Sequence, residues 1–288
     1  MTNTPALPPI LRYTAFSADP AGGNPAGVVL DAAGLDAAQM LAIAADVGYS
    51  ETAFVTVTDG RTLTVKYFSP KAEVSFCGHA TVATAVAFAE RAGTGDLLFL
   101  TAAGEVPVTV TAEAPGRPLR ATLTSVEPTV EDVPAAAVSD AVAALRWKES
   151  DLDPGLPPRI AYAGARHLVL AAATRRRLAD LDYDFAQLAA FMTSLDLTTV
   201  QLVWQESATV YHVRDPFPVG GVVEDPATGA AALAFGAYLR ELGIATAPAT
   251  LTLHQGDDLG RPVVLTVELV PDDPRVRVSG QATAITKG

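Results

Sequence analysis

The sequence predicts a mixed α/β (α+β) protein of two pseudo-symmetric lobes, each a sheet curled round one central helix. Three observations carry that expectation: a chain of 288 residues, an internal repeat at fixed spacing, and two Ala-rich helices that lack a polar face. The length exceeds one ordinary domain. With 49% apolar and 18% charged residues, the chain can fill sizeable cores and does not read as disordered.

The repeat is weak in identity but holds its register. Gln39, in Asp36-Ala-Ala-Gln39, is matched by Gln187, in Asp184-Phe-Ala-Gln187, 148 positions on (187 − 39). The same spacing pairs Lys66 with Arg214, Pro70 with Pro218, Val74 with Val222 and Cys77 with Asp225. Self-similarity at such a period is a fold-level signal. It divides the chain into a first lobe, 1–127, and a second, 128–274, with a C-terminal strand at about 275–288 as a candidate to complete the first. A linker is expected in 128–158, which is rich in Pro, Ala and acidic residues.

Each half gives the same order of elements. Strands at 27–30 and 167–170 precede amphipathic helices at 37–47 and 185–195, where apolar residues recur at helical spacing. Strand pairs follow at 52–57 with 62–68, and at 200–205 with 209–214. Two helices, about 79–91 and 229–242, are apolar on nearly every face, so each is expected to lie buried in its lobe. Each stops before a glycine, Gly93 or Gly243, as a left-handed helix end requires. Strand pairs at 97–100 with 106–111, and at 250–254 with 263–269, close the halves.

Charge and cysteine content narrow the function. The 20 basic and 32 acidic residues give a net charge of −12. Such a surface repels phosphate backbones and anionic lipid, so neither nucleic acid nor a membrane is an expected partner. The single cysteine, Cys77, allows no internal disulfide and no CxxC metal cluster. No apolar run reaches the ~18 residues of a membrane span. Residues 1–9 read as a short tail and not a leader, so the cytoplasm is the expected location.

The unusual short motifs lie at the starts of the two buried helices: Cys77-Gly78-His79-Ala80-Thr81 and Glu224-Asp225-Pro226-Ala227-Thr228-Gly229. A helix N-terminus has unpaired N–H groups and a positive dipole end, which hold carboxylates. If the lobes face each other, both ends can point into one cleft. Structural readings stand beside the functional ones. Asp225-Pro226 is an ordinary N-cap with Pro at N1, and Thr228 could simply finish the turn. Cys77 could be a small buried apolar residue. His79 at a helix start favours a neutral imidazole. Glu51 begins a hydrophobic strand where the repeat has Thr199, so only the first lobe brings a carboxylate there. It is either a surface residue or a group that takes and gives a proton.

Across nearly the whole chain these motifs occur in the order of a known family. They are Phe16 with Gly22-Gly23-Asn24-Pro25-Ala26, Ser50-Glu51-Thr52-Ala53-Phe54, Phe68-Ser69-Pro70 and the Cys77 motif. Arg214 with Phe217, the Asp225 motif, Gln255-Gly256 and Gly260-Arg261 follow. The sequence resembles the PhzF-like (phenazine biosynthesis) family of the diaminopimelate-epimerase-like superfamily. The resemblance implies two similar lobes with substrate held between them, a homodimer, and a biosynthetic isomerase that needs no cofactor and no metal. A characterised member isomerises a dihydro-hydroxyanthranilate by moving a hydrogen. It also implies Glu51 as the proton shuttle, with His79 and Asp225 as its catalytic partners. Asn24, Gly78, Thr228 and Gly229 are then expected on the substrate, the glycines at its carboxylate. The family motif commonly has Ser after the second glycine; Ala230 stands here, so that hydroxyl is missing.

The expected function is thus an isomerase moving a proton on a small, carboxylate-bearing metabolite. One alternative is an amino-acid racemase or epimerase, without the two-cysteine mechanism because Asp225 stands opposite Cys77. Another is a non-catalytic small-ligand-binding protein. A nucleotide-dependent oxidoreductase is disfavoured, because no GxGxxG follows a strand and no P-loop is present.

Overall fold

The computed structural model describes residues 8–114 and 116–286; most of the expected N-terminal tail lies outside them. The chain forms two compact units. The first comprises Pro25–Leu123, the described residues before Gly22 and those from Gln281 on; the second comprises Gly22–Asn24 and Thr124–Gly280. No described helix is long and apolar enough to cross a membrane.

The first unit runs β1 (Leu11–Ala15), β2 (Asn24–Val29, its first residue belonging to the second unit), α1 (Ala37–Val47), β3 (Glu51–Asp59), β4 (Thr62–Phe68), β5 (Glu73–Val74), α2 (Gly78–Ala92), β6 (Gly95–Thr101), β7 (Gly104–Thr111) and β8 (Arg120–Thr124). β2 lies parallel to β3, with Ala26 beside Glu51, and β3 pairs antiparallel with β4. β4 continues parallel to β6, then β7 and β8 add antiparallel. Helix α1 starts at a capping box: Asp36 accepts from the Gln39 N–H, and the Gln39 side chain accepts from the Asp36 N–H. Its Met40, Ile43, Ala44 and Val47 pack on Val29, Phe54 and Phe68 of one sheet face. Helix α2 lies against β1, β3 and β7 and is buried without a break from Gly78 to Ala87. Its small side chains let strands surround it, and Thr81 and Thr84 satisfy their hydroxyls on Cys77 O and Ala80 O, both at 2.7 Å. At Gly27 a Cβ would stand 2.5 Å from Thr52 Oγ1, so the β2–β3 contact admits only glycine.

The second unit runs β9 (Thr129–Asp132), α3 (Ala135–Ala144), β10 (Arg159–Tyr162), β11 (Arg166–Ala171), α4 (Arg175–Ala179), α5 (Phe185–Ser194), β12 (Thr199–Gln205), β13 (Val210–Pro216), β14 (Glu224–Asp225), α6 (Gly229–Glu241), β15 (Ala249–Gln255), β16 (Val263–Leu269) and β17 (Val276–Ala284). β17 ends in the first unit, where Ala284 stands opposite Tyr13 of β1. Helix α6 is buried from Gly229 to Leu239 and lies against β9, β10, β11 and β16. The opposite face carries Val142, Leu145, Leu188 and Met192 on Leu168, Leu170, Val200 and Leu202. Each unit is therefore a sheet with one enclosed helix and an outer helical layer, as the sequence predicts.

Two expectations need correction. Residues 128–158 are not a linker. β9 pairs with β10, with Asp132 beside Arg159, and Ala141, Val142 and Trp147 are core residues. Pro and Ala density suggested a linker there, but the short Ala-rich helix between the prolines has an apolar side. The second correction concerns the repeat. The 148-residue spacing holds through β3/β12 and β4/β13, then fails. In the β4–β5 hairpin Phe68 faces Glu73; in the β13–β14 hairpin Pro216 faces Glu224, across a loop three residues longer. Beyond it the spacing is 151 (225 − 74), so Val74 matches Asp225, and Cys77 matches Thr228, not Asp225.

Candidate active site

The first unit gathers Glu51, Cys77 and His79. Glu51 opens β3 at the point where β2 runs alongside, and its side chain is 12% exposed. Cys77 and His79 sit at the start of α2, as N-cap and second residue. His79 Nε2 stands 3.4 Å from Glu51 Oε2 and 3.4 Å from Ser50 Oγ. The Cys77 thiol donates to Glu51 Oε2 at 3.6 Å, and its sulfur lies 3.3 Å from His79 Nδ1. Cys77 is buried, but its neighbours are polar, so the reading of it as only a small apolar residue does not hold. Beneath them Tyr67 Oη and Thr81 Oγ1 share a 2.6 Å hydrogen bond, and burial pushes the phenol far up, keeping it neutral. The three donors of Glu51, Cys77 and His79 lie within 4.8 Å of one another, close enough to hold a divalent ion. Their mutual hydrogen bonds account for the same arrangement without one.

The second unit gathers Asp225, Thr228 and Asn24. Asp225 is not the helix N-cap: it lies in β14, and α6 begins at Gly229 after Thr228. Its carboxylate is held on both oxygens. Asn24 Nδ2 donates to Oδ1 at 2.6 Å and the Thr228 hydroxyl donates to Oδ2 at 2.7 Å. Asn24 Nδ2 also donates to Ala227 O at 3.1 Å. Asn24 and Thr228 thus act on Asp225 in this structure. Glu224 next door forms a buried fork with Arg214, at 2.9 and 2.5 Å, while Arg214 Nη1 donates to Ala179 O. That pairing pins β14 to β13.

Both helix starts share one property. Neither N-cap side chain caps a backbone N–H of its own first turn, and neither first turn carries an acid. Thr81 N–H is the first to reach back, to Cys77 O, and Ala232 N–H the first to reach Thr228 O. The N–H groups of Gly78 and His79, and of Gly229 and Ala230, therefore have no acceptor within their helices, the arrangement that receives a carboxylate.

Sequence reasoning missed the groups that hold the second cluster in place. Gln255 accepts from the Thr228 N–H at 3.0 Å and donates to Asp225 O at 2.9 Å and Thr228 Oγ1 at 3.1 Å. Arg261 donates to Gly23 O and Gly22 O, both at 2.8 Å, which sets the position of Asn24. Between them Gly256 is left-handed (φ +75°), and a Cβ there would stand 2.2 Å from Arg261 O. Gln255 and Arg261 sit in motifs that the sequence displays, but their partners are distant along the chain. Asp215 was also missed. Alternation along β13 buries Tyr211, Val213 and Asp215 on one face, and an acid in that register was a readable signal.

Known proteins resemble this chain over nearly its whole length. The family model described as phenazine biosynthesis-like protein matches residues 13–288. An uncharacterized isomerase, YddE, of Salmonella typhimurium is 33% identical, with 96% of each chain covered. The trans-2,3-dihydro-3-hydroxyanthranilate isomerase of Pseudomonas chlororaphis is 28% identical, covering 95% of this chain and 96% of its own. The crystal structure of a Bacillus anthracis phenazine biosynthesis protein of the PhzF family superposes with a TM-score of 0.85 at 25% identity, with 96% of both chains covered. A probable proline racemase of Agrobacterium radiobacter K84 shares the fold, with a TM-score of 0.68 at 13% identity over 95% of this chain and 90% of its own.

Proposed function

The chain belongs to the phenazine biosynthesis-like (PhzF) family of isomerases with a diaminopimelate-epimerase-like fold, and from that membership we propose that it moves a proton on a small carboxylate-bearing metabolite without a cofactor. The observation that carries this reading is the Glu51 carboxylate, mostly enclosed and touching both His79 and Cys77 at a helix start that can receive an anion. Glu51 takes the proton from one carbon and returns it to another, the dual role suited to a carboxyl sheltered from bulk water. His79 steadies the carboxylate and shares its proton traffic. Gly78 in the first unit, and Gly229 in the second, each begin a helix whose first N–H groups suit a carboxylate. Asp225, with both oxygens held, serves as the fixed carboxylate of the second cluster.

A two-thiol racemase is chemically excluded. The chain has one cysteine, and the residue matching Cys77 in the second unit is Thr228, not a second thiol. The counterpart of His79 is Ala230, so the proton chemistry is assigned to the first unit.

The test begins with a thermal-shift screen of small carboxylates, because a ligand of the folded state raises the midpoint. Ligands that bind are then incubated with the enzyme in heavy water. Wild type is expected to place solvent deuterium on carbon. Glu51→Gln is expected to do so about 10²–10⁴-fold more slowly. Equal exchange by both proteins overturns the assignment of Glu51 and leaves a ligand-binding protein as the better account.

A further inference from the structure

Asp215 and Asp225 stand directly opposite each other in the β13–β14 pair. Opposite residues carry their side chains on one face, with Cβ atoms about 4.5–5.5 Å apart. Asp215 is 0% exposed and Asp225 9%. Two buried carboxyls at that separation resist ionising together.

The groups facing Asp215 come from four elements. β14 presents Asp225 and Glu224, the start of α6 presents Thr228, and β12 presents Thr199, whose hydroxyl donates to Asp215 Oδ1 at 2.8 Å. β11 presents His167 behind it, with Nδ1 2.8 Å from Thr199 Oγ1. No cation is among them. Arg214 is turned to Glu224 and Ala179 O, and burial lowers His167 to about 3, so its ring is neutral.

The two carboxyls are treated differently. Asp225 receives a donor on each oxygen, which favours the ionised form. Asp215 Oδ2 is buried and has no hydrogen-bond partner among the described residues.

We propose that Asp215 is a positioning residue that keeps the single proton of the Asp215–Asp225 pair, so that Asp225 remains an oriented anion. Burial raises Asp215 well above the ordinary carboxyl value, and the charges of Asp225 and Glu224 raise it further, against the opposing hydroxyls of Thr199 and, to a smaller extent, Thr228. Were Asp215 to ionise, its charge would drive a proton onto Asp225 and break the acceptor set that Asn24 and Thr228 serve. The functional meaning rests on the reading of Asp225 as a site residue, but the location of the proton does not.

Infrared difference spectroscopy of the whole protein reads that proton directly. At pH 7, wild type minus Asp215→Asn is expected to show the C=O stretch of one protonated carboxylic acid, and Asp225→Asn is expected to retain that band. A band absent from wild type, or lost in Asp225→Asn and kept in Asp215→Asn, overturns the proposal. If Asp215→Asn does not fold, the wild-type band decides. Persistence through pH 7 in wild type and in Asp225→Asn supports the proposal; disappearance below pH 6 overturns it. Full turnover by Asp225→Asn with the band intact would remove Asp225 from the site and leave the proton assignment standing.

Discussion

Thr228 holds in the second unit the place that Cys77 holds in the first, and each bonds the carboxylate of its own unit. The Cys77 thiol reaches Glu51 Oε2 at 3.6 Å, and the Thr228 hydroxyl reaches Asp225 Oδ2 at 2.7 Å. Both are N-cap residues whose side chains turn away from the helix and toward an acid. The duplication has kept the geometry and changed the atoms.

Replacing Thr228 by Val keeps the shape and removes the hydroxyl, so Asp225 Oδ2 loses its donor and Gln255 an acceptor. Unfolding titration is expected to show a loss of about 1–3 kcal/mol. Deuterium exchange should slow with it, and Thr228→Ser should recover both. A serine variant as impaired as the valine one would show that the methyl group, not the hydrogen bond, matters.

Cys77 touches the acid without replacing it. Cys77→Ala is expected to retain exchange within about tenfold of wild type, well short of the ~10²–10⁴-fold cost of removing an acid/base group. Comparable losses in Cys77→Ala and Glu51→Gln would put the thiol on the proton path.

Stability should depend on pH through two buried groups of opposite sign. Asp215 is raised above its ordinary 3.8, so its contribution is whole below that pH and declines as pH rises through the folded value. His167 is lowered from 6.5 to about 3, so its contribution is whole above pH 6.5 and declines as pH falls toward 3. Relative to wild type, Asp215→Asn should therefore gain stability steadily from pH 4 to 6.5, and His167→Gln should lose it. Urea titrations across that range check both; curves parallel to wild type would contradict them.

The Arg214–Glu224 fork is buried on both sides, with side chains 9% and 1% exposed. Arg214→Met leaves Glu224 without its cation and is expected to cost about 3–5 kcal/mol. The double variant with Glu224→Leu should recover much of that in thermal unfolding. A single variant as stable as wild type would mean that Glu224 finds another partner.

Local chemistry made much of this legible. Helix α1 was readable to the residue because Asp36, Gln39 and Gly48 mark its ends and Met40, Ile43, Ala44 and Val47 its inner side. The two buried helices announced themselves by lacking a polar face, although Gly93 leaves its helix with an extended ψ of 159° and not in the left-handed helical region. The cluster of Glu51 and His79 was legible from its motifs. The match of Cys77 with Thr228 was not, because a three-residue insertion in an exposed loop leaves no mark on an ungapped comparison. Gln255 escaped for another reason: a polar residue in a strand looks solvated until its tertiary neighbours are known, whereas Asp215, in register with Tyr211 and Val213, could have been read.

One consequence follows for synthesis on the ribosome. The first unit takes its β1 partner from the far end of the chain, where Ala282, Thr283 and Ala284 align with Ala15, Thr14 and Tyr13. Vectorial folding of that unit must therefore wait until residues 282–284 have emerged, and loop closure over such a span is slow. Until then, the emerging polypeptide carries an unfinished sheet margin, and removing the segment from Gln281 onward would make that condition permanent.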